Sequence, residues 1–179
     1  MRIVIVSGSM RHESVTNRVA LCLHNQLTQL KLHSDIIDVR EINLPFITDG
    51  FANKEAVPDE HKQWANLMFE ADAVIMLTPE YNGSYTPSLK NVFDHFPKQS
   101  RKAFGIVTAS PGGLGGIRAA MQMQQLVPAL FGILSPYMLV IPAVDKKFDE
   151  QGTLIDPNFQ KSIDLFLREF LWLATQLKK

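Results

Sequence analysis

The chain has 179 residues, 46% hydrophobic and 20% charged, which predicts one globular domain over 1–179 rather than a disordered chain. Lys plus Arg and Asp plus Glu both number 18, and this balance argues against a protein that binds nucleic acid through phosphate contacts. No apolar run approaches the ~18 residues that a membrane-spanning helix needs, so we expect no membrane insertion.

The start of the chain and its cysteine content both favour the cytoplasm. The apolar stretch 3–6 begins at once, without the basic leader or cleavage site of a signal peptide. Cys22 is the only cysteine, which excludes an intrachain disulfide and a cysteine metal cluster. We interpret it as a buried thiol on a helix rather than as a nucleophile.

Apolar runs typical of buried strands alternate with helical periodicities along the chain. The predicted strands are 2–7, 33–39, 73–77, 103–107 and 134–141. The first helix is predicted to begin after Ser14 as its N-cap, with Val15, Val19, Cys22, Leu23, Leu27 and Leu30 on its inner face. The later helices are predicted at 59–71, 87–96, from 117 onward and at 158–177. In the fourth of these five helices Ile117, Ala120, Met121, Val127 and Leu130 form the inner face, and Pro128 is expected to kink or interrupt it.

This alternation predicts an α/β fold with a doubly wound, five-stranded parallel sheet and helices on both faces. The strand order 2-1-3-4-5 fits and places Pro136 in an edge strand, where a missing N–H is tolerated. The chain then reverses direction between strands 1 and 3, and a ligand crevice is expected at their carboxyl ends. Three loops should be neighbours there, which we call the first loop (8–16), the second loop (78–84) and the third loop (108–116).

The segment 40–58 has little periodicity and is long for a connection in a compact domain. Such segments are usually functional or mobile. The sequence leaves open whether this one folds over a ligand or forms an interface.

The first loop has the groups that bind a phosphate dianion. Ser9, Ser14 and Thr16 supply hydroxyls, Arg11 supplies a cation, and the following helix supplies free N–H groups. The loop matches neither the nucleotide P-loop nor the dinucleotide G-x-G-x-x-G pattern. A capped, solvated loop without a ligand is the alternative interpretation.

The other two loops show no nucleophile–base pair, and the five histidines lack metal-ligand spacing. His95, beside Asp94, is predicted on a helix surface rather than in a catalytic dyad. Glu80 is either a base or an acceptor of main-chain N–H groups. We therefore infer that a bound cofactor carries the chemistry. Glycines 83, 112, 113, 115 and 116 are expected to leave the main chain open to a flat aromatic ring.

Three motifs resemble the NAD(P)H-dependent FMN reductase family, flavodoxin-like enzymes that include bacterial quinone, azo and chromate reductases. The motifs are Gly8-Ser9-Met10-Arg11-His12-Glu13-Ser14, then Pro79-Glu80-Tyr81-Asn82-Gly83-Ser84-Tyr85-x-Pro87-x-Leu89-Lys90-Asn91, then Ser110-Pro111-Gly112-Gly113-x-Gly115-Gly116-x-Arg118-Ala119. They lie in the family's order and spacing, and the second is the most specific. The resemblance implies a flavodoxin-like fold, FMN as cofactor and NADPH or NADH as co-substrate.

The resemblance also implies roles for individual residues. The FMN phosphate would be held by Ser9, Arg11, Ser14 and Thr16. The isoalloxazine would be lined by Pro79, Glu80, Tyr81, Asn82 and Gly83, and its other edge closed by Ser110, Gly112 and Gly113. Arg118, Lys146 and Lys147 are either contacts of the nicotinamide nucleotide or plain surface cations.

The activity implied by the resemblance is a ping-pong hydride transfer to a small-molecule acceptor, which would be a quinone, azo compound, chromate or flavin. A homodimer or homotetramer is expected. The first alternative is a flavodoxin-type electron carrier without nicotinamide reductase activity. The second is a binding or regulatory module that has kept the fold without the flavin.

Overall fold

The computed structural model describes residues 1–178 and shows a parallel sheet between two layers of helices. The strands are β1 (Arg2–Ser7), β2 (His33–Asp38), β3 (Ala73–Thr78), β4 (Ala103–Ala109), β5 (Ile133–Leu134) and β6 (Leu139–Ile141). The helices are α1 (Val15–Gln29), α2 (Lys62–Glu70), α3 (Pro87–Asp94), α4 (Ile117–Ala129) and α5 (Gln160–Leu177). Short 3-10 turns lead into α2 and α5 at Asp59–His61 and Pro157–Phe159, and a third, Val144–Lys146, follows β6.

The predicted strand order is confirmed, since the sheet runs β2-β1-β3-β4-β5 with every neighbouring pair parallel. All residues of β3 and β4 are buried. Continuous burial is what a parallel strand covered on both faces requires, and it explains why these strands read as apolar runs without alternation. The carboxyl ends of β1, β3 and β4 therefore meet at one edge of the sheet.

The predicted fifth strand over 134–141 is wrong in detail. Two short strands, β5 and β6, pair separately with β4, at Ala103–Phe104 and at Val107–Ala109. Pro136 lies in the break between them. Proline has no N–H to donate to a ladder, so the strand is interrupted there. The sheet consequently has six strands, with β5 and β6 sharing one edge position.

Two hydrophobic clusters cover the two faces of the sheet. One contains α1 and α5, and the other contains α2, α3 and α4. Gly105 in β4 allows α5 to lie close to the sheet, since a Cβ there would come within 2.8 Å of the Phe166 ring. The absence of a side chain at this position therefore sets the spacing between α5 and β4.

Several predicted side-chain positions differ from the structure. Leu30 and Met121 were predicted to face inward but are 55% and 54% exposed. Leu30 lies just beyond the end of α1 as its C-cap. Pro128 neither divides nor ends α4, because it lies in the last turn and the helix continues to Ala129. Cys22 is buried as predicted, and burial raises the pKa of its thiol to about 11.

Within residues 1–178, no helix has both the length and the apolar character needed to span a bilayer. The same residues contain no group of three or more His, Cys, Asp or Glu side chains able to hold a metal ion.

Candidate functional site

The structure brings the first, second and third loops together at the carboxyl edge of the sheet, as predicted. The first loop is joined to β3 by the hydrogen bond from Gly8 N–H to the Leu77 carbonyl, 2.8 Å long. The guanidinium carbon of Arg11 lies 5.4 Å from the centre of the Tyr81 ring, which links the first and second loops. Glu80 of the second loop binds the start of α4, directly after the third loop.

The first loop is also fixed to the start of α3. The Thr86 hydroxyl donates to the Gly8 carbonyl at 2.5 Å, and the Ser88 hydroxyl donates to the same oxygen at 2.9 Å. Thr86 is the N-cap of α3, where its hydroxyl accepts from Leu89 N–H. A Cβ on Gly8 would lie 2.8 Å from the Leu89 Cβ, so only glycine allows this approach. Thr86 and Ser88 were not among the predicted site residues, although Thr86-Pro87 carries the signature of a helix start.

A row of main-chain donors lies in the first loop and at the start of α1. None of the N–H groups of residues 12–16 has a hydrogen-bond partner among the described residues. Ser14 is the N-cap of α1, as predicted, and its hydroxyl oxygen accepts from Asn17 N–H at 3.1 Å. Ser9 and Thr16 are each 2% exposed, so both residues are buried.

Arg11, the residue just before these donors, adds a positive charge to the first loop. Its side chain is exposed and forms no ion pair with any carboxylate of residues 1–178. Unpartnered N–H groups at a helix start and an unpaired guanidinium together fit a phosphate monoester, the charged end of FMN.

The second loop turns at Asn82 and Gly83. Tyr81 and Ser84 exchange two main-chain hydrogen bonds, and both central residues have positive φ, 50° and 83°. This is the geometry of a tight hairpin turn, and it accounts for the Asn-Gly pair. The N–H groups of Asn82 and Gly83 form no hydrogen bond within the described part of the chain, so they are available to a ligand.

Glu80 is a structural acceptor, the second of its two predicted roles. One carboxylate oxygen accepts from Arg118 N–H at 3.0 Å and from Ala119 N–H at 3.4 Å. The other lies 3.7 Å from the Arg118 guanidinium. The N-cap of α4 is Gly116, which has no side chain to cap the helix. Glu80 therefore caps α4 from the neighbouring loop, and its negative charge is favoured at that helix N-terminus.

The glycines of the third loop fall into two groups. Gly112 and Gly113 are open to the extent that the structure describes the chain. A Cβ on Gly112 would meet only the Ser110 hydroxyl, at 3.4 Å, and a Cβ on Gly113 would meet no described atom within 4 Å. The expectation of open main chain is wrong for Gly115 and Gly116. Both have positive φ, and a Cβ would come within 2.7 Å of Val140 and 3.0 Å of Thr108 respectively. The chain's own packing, not a ligand, requires these two glycines.

The segment 40–58 packs against α3. The Asn91 side chain fixes its first half by accepting from Ile47 N–H at 3.1 Å and donating to the Pro45 carbonyl at 2.8 Å. A cavity of about 310 Å³ lies beneath this half, lined by Met10, Val39, Ile42, Asn43, Leu44, Phe46, Tyr81, Pro87, Ser88, Asn91 and Val92. The first half of the segment is therefore one wall of an apolar cavity next to the first and second loops.

The second half of the segment explains why the prediction for His95 is wrong. His95 is 3% exposed rather than on the surface. Its ring packs against the buried Phe51, with 5.1 Å between ring centres, and its Nδ1 lies 2.8 Å from the Asn91 carbonyl oxygen. Asp94 pairs with Lys90 instead, so the two neighbours do not form a catalytic dyad.

Comparison with known proteins adds evidence of descent to this geometry. Residues 1–144 match the family described as NADPH-dependent FMN reductase. A quinone reductase of Pseudomonas putida is 30% identical over 177 residues, covering 92% of this chain and 91% of that protein. An FMN-dependent NADPH-azoreductase of Staphylococcus haemolyticus is 28% identical over 177 residues, covering 96% and 94%.

Solved structures show the same fold. The flavoenzyme NAD(P)H:(acceptor) oxidoreductase FerB from Paracoccus denitrificans superposes with a TM-score of 0.78 at 18% identity, covering 99% of both chains. A cysteine-to-alanine mutant of flavodoxin from Pseudomonas aeruginosa gives a TM-score of 0.60 at 17% identity, covering 96% of this chain and 99% of that one. The predicted flavodoxin-like fold is thereby confirmed. The match over residues 1–144, together with the similarity to the quinone reductase, shows that this chain belongs to the NADPH-dependent FMN reductase family and is an FMN-dependent oxidoreductase.

Proposed function

We propose that this protein passes two electrons from NADPH or NADH, by way of bound FMN, to a quinone or azo compound, with chromate or free flavin as further acceptors. The reaction would be ping-pong, with the nucleotide leaving before the acceptor takes its place. The observation that carries the proposal concerns residues 1–178, within which the N–H groups of residues 12–16 have no partner and Arg11 has no ion pair. These groups lie next to the second and third loops. The quinone reductase and azoreductase relatives support this class of acceptor.

We infer that the first loop holds the FMN phosphate. Ser9, Ser14 and Thr16 would donate from their hydroxyls, residues 12–16 from the main chain, and Arg11 from its guanidinium. The spacing of the loop from the sheet is set by Gly8, Thr86 and Ser88, which hold the first loop against α3.

The second and third loops would line the flat ring system. Pro79, Glu80, Tyr81, Asn82 and Gly83 would form one side, and Ser110, Gly112 and Gly113 the opposite edge. When bound, FMN supplies the hydride-transfer chemistry. The protein would bind and orient it, and the N–H groups of Asn82 and Gly83 would be fixed dipoles that stabilise negative charge on the bound flavin. The proton that the acceptor takes up besides the two electrons would come from solvent, so the scheme assigns no acid–base residue.

The role of Glu80 gives a prediction that separates a structural acceptor from a general base. Glu80→Gln keeps an oxygen that can accept from Arg118 N–H and Ala119 N–H, so we expect kcat to fall less than about threefold, whereas loss of a general base typically costs 10²–10⁴-fold. Steady-state kinetics of the FMN-loaded enzyme measures the difference. A hundredfold loss in Glu80→Gln would contradict the structural role. Glu80→Ala, which removes the cap of α4, should in contrast lower the free energy of unfolding by about 1 kcal/mol.

The proposed function is tested by the visible spectrum of the protein saturated with FMN, to which NADPH or NADH is added under nitrogen. We expect the absorbance of oxidised flavin to disappear rapidly and to return when a quinone is added. The nucleotide that bleaches the flavin faster is the preferred electron donor. Bound flavin that responds to neither nucleotide would favour the electron carrier. A protein that binds no FMN would overturn the site.

We also propose that 1–179 acts as one domain, that the protein forms a homodimer or homotetramer, and that it works in the cytoplasm, where nicotinamide nucleotides are available. Family resemblance supports the assembly, and sedimentation velocity of the FMN-loaded protein tests it. A species sedimenting as a monomer at micromolar concentration would contradict it.

A further inference from the structure

Asp38 and Arg40 form an ion pair at the end of β2, directly beside the first loop. Asp38 is 6% exposed. Its carboxylate accepts a hydrogen bond from the main-chain N–H of Arg40 at 3.0 Å. It also accepts from the guanidinium of Arg40, through Nε at 3.0 Å from both carboxylate oxygens and through Nη2. A carboxylate held by both the main chain and the guanidinium of one residue fixes the direction of that guanidinium.

The remaining arm of the guanidinium reaches the first loop. Arg40 Nη1 donates to the His12 carbonyl at 2.7 Å, across 28 positions of sequence. The side chain of Asn17, in the first turn of α1, completes the contact. In the amide orientation that gives both its nitrogen and its oxygen a partner, the nitrogen donates to the Asp38 carboxylate at 3.3 Å and the oxygen accepts from Arg40 Nη2 at 2.8 Å. Asp38 and Arg40 are thus connected to both the first loop and the start of α1.

This contact determines where one main-chain donor points. In a planar trans peptide the carbonyl and the N–H lie on opposite sides of the C–N bond. Because Arg40 holds the His12 carbonyl, the N–H of Glu13 is directed away from Arg40. That N–H has no partner among residues 1–178. It belongs to the row of donors at residues 12–16 that the first loop offers to an anion.

We propose that Arg40, oriented by Asp38, is a positioning residue for the phosphate of FMN. It acts through the His12–Glu13 peptide rather than by touching the phosphate, since Asp38, His12 and Asn17 together already occupy most of its donors. The inference rests on the proposed function, because it assumes that the first loop binds the FMN phosphate. It predicts that changes at Arg40 affect ligands with a phosphate selectively.

The test compares FMN with riboflavin, which has the same ring system but no phosphate. Arg40→Lys keeps the charge beside Asp38 but loses the fork needed to hold Asp38 and His12 together. We expect its Kd for FMN, from flavin fluorescence titration, to rise on the order of tenfold, the cost of one hydrogen bond to a charged group. The Kd for riboflavin should change less than about twofold.

Arg18→Lys is the matched control. Arg18 lies next to Asn17 in α1, but its guanidinium donates to the Phe148 carbonyl at 3.2 Å instead of to the first loop. The same substitution there should leave both Kd values unchanged. If Arg40→Lys folds poorly, the double variant Asp38→Asn with Arg40→Gln replaces it, because this variant leaves no unpaired buried charge. It should show the same FMN-selective loss.

Equal weakening of FMN and riboflavin in the Arg40 variants would overturn the positioning role and indicate a general loss of structure. An unchanged Kd for FMN would overturn it as well. If Arg11→Ala abolishes the preference for FMN over riboflavin while Arg40→Lys does not, only this inference fails. If the unaltered protein shows no preference for FMN, the phosphate site itself fails, and with it the inference.

Discussion

Replacement of Arg11 with Ala is expected to weaken FMN binding by about 1.5–3 kcal/mol, or roughly 10- to 150-fold in Kd. The guanidinium is exposed and unpaired within the described residues, and it lies over Tyr81 beside a row of free N–H groups. A phosphate dianion bound there would therefore lose its only side-chain cation from the first loop. Fluorescence titration of the apoprotein with FMN measures the change.

The control for Arg11→Ala is Arg168→Ala. Arg168 is also an exposed arginine, but it lies in α5 and pairs only with Glu169 in the described structure. Its removal should leave the Kd for FMN unchanged. An FMN affinity that survives the loss of Arg11 would move the phosphate away from the first loop and contradict the proposed site.

Replacement of Thr86 with Val is expected to lower the free energy of unfolding of the apoprotein by about 2–3 kcal/mol. Thr86 is 1% exposed, and its hydroxyl both donates to the Gly8 carbonyl and accepts from Leu89 N–H. Valine has nearly the same shape but leaves a buried N–H without its acceptor and removes the N-cap of α3. Urea denaturation followed by circular dichroism measures the loss.

The matched control is Thr108→Val. Thr108 is completely buried, and its hydroxyl has no hydrogen-bond partner among the described residues. The same isosteric change there removes an unsatisfied polar group, so the free energy of unfolding should stay constant or rise by up to about 1 kcal/mol. Equal losses in the two variants would show that the hydroxyl of Thr86 carries no special role.

Because the Thr86 hydroxyl also holds Gly8, Thr86→Val should weaken FMN binding as well.

The fold follows from local patterns that the sequence displays directly. Apolar runs without alternation predict buried parallel strands, and the sheet order is confirmed. The fifth strand is the exception. Apolar residues at 134 and 137–141 predict one strand, but Pro136 has no N–H to donate and lies in the break between β5 and β6. A hydrophobicity pattern alone does not show that one main-chain N–H is missing.

The positions of the three loops were also predictable, because parallel strands bring their carboxyl ends to one edge. The partners of individual side chains were not. The sequence left both a base and an acceptor open for Glu80 until the structure placed its carboxylate at the start of α4, 38 positions away. His95 was predicted on a helix surface, because nothing near it in sequence shows that Phe51 packs against it.

The sequence by itself determined the order of strands and helices, the three loops that meet at the carboxyl edge of the sheet and, through its motifs, the family. Periodicity, turn residues and caps act over a few positions, so they can be read along the chain. Only the tertiary structure decided which glycines are open, which hydroxyls hold the first loop and how Arg40 reaches His12. Those contacts join residues far apart in sequence, and their geometry depends on the packing of the whole sheet.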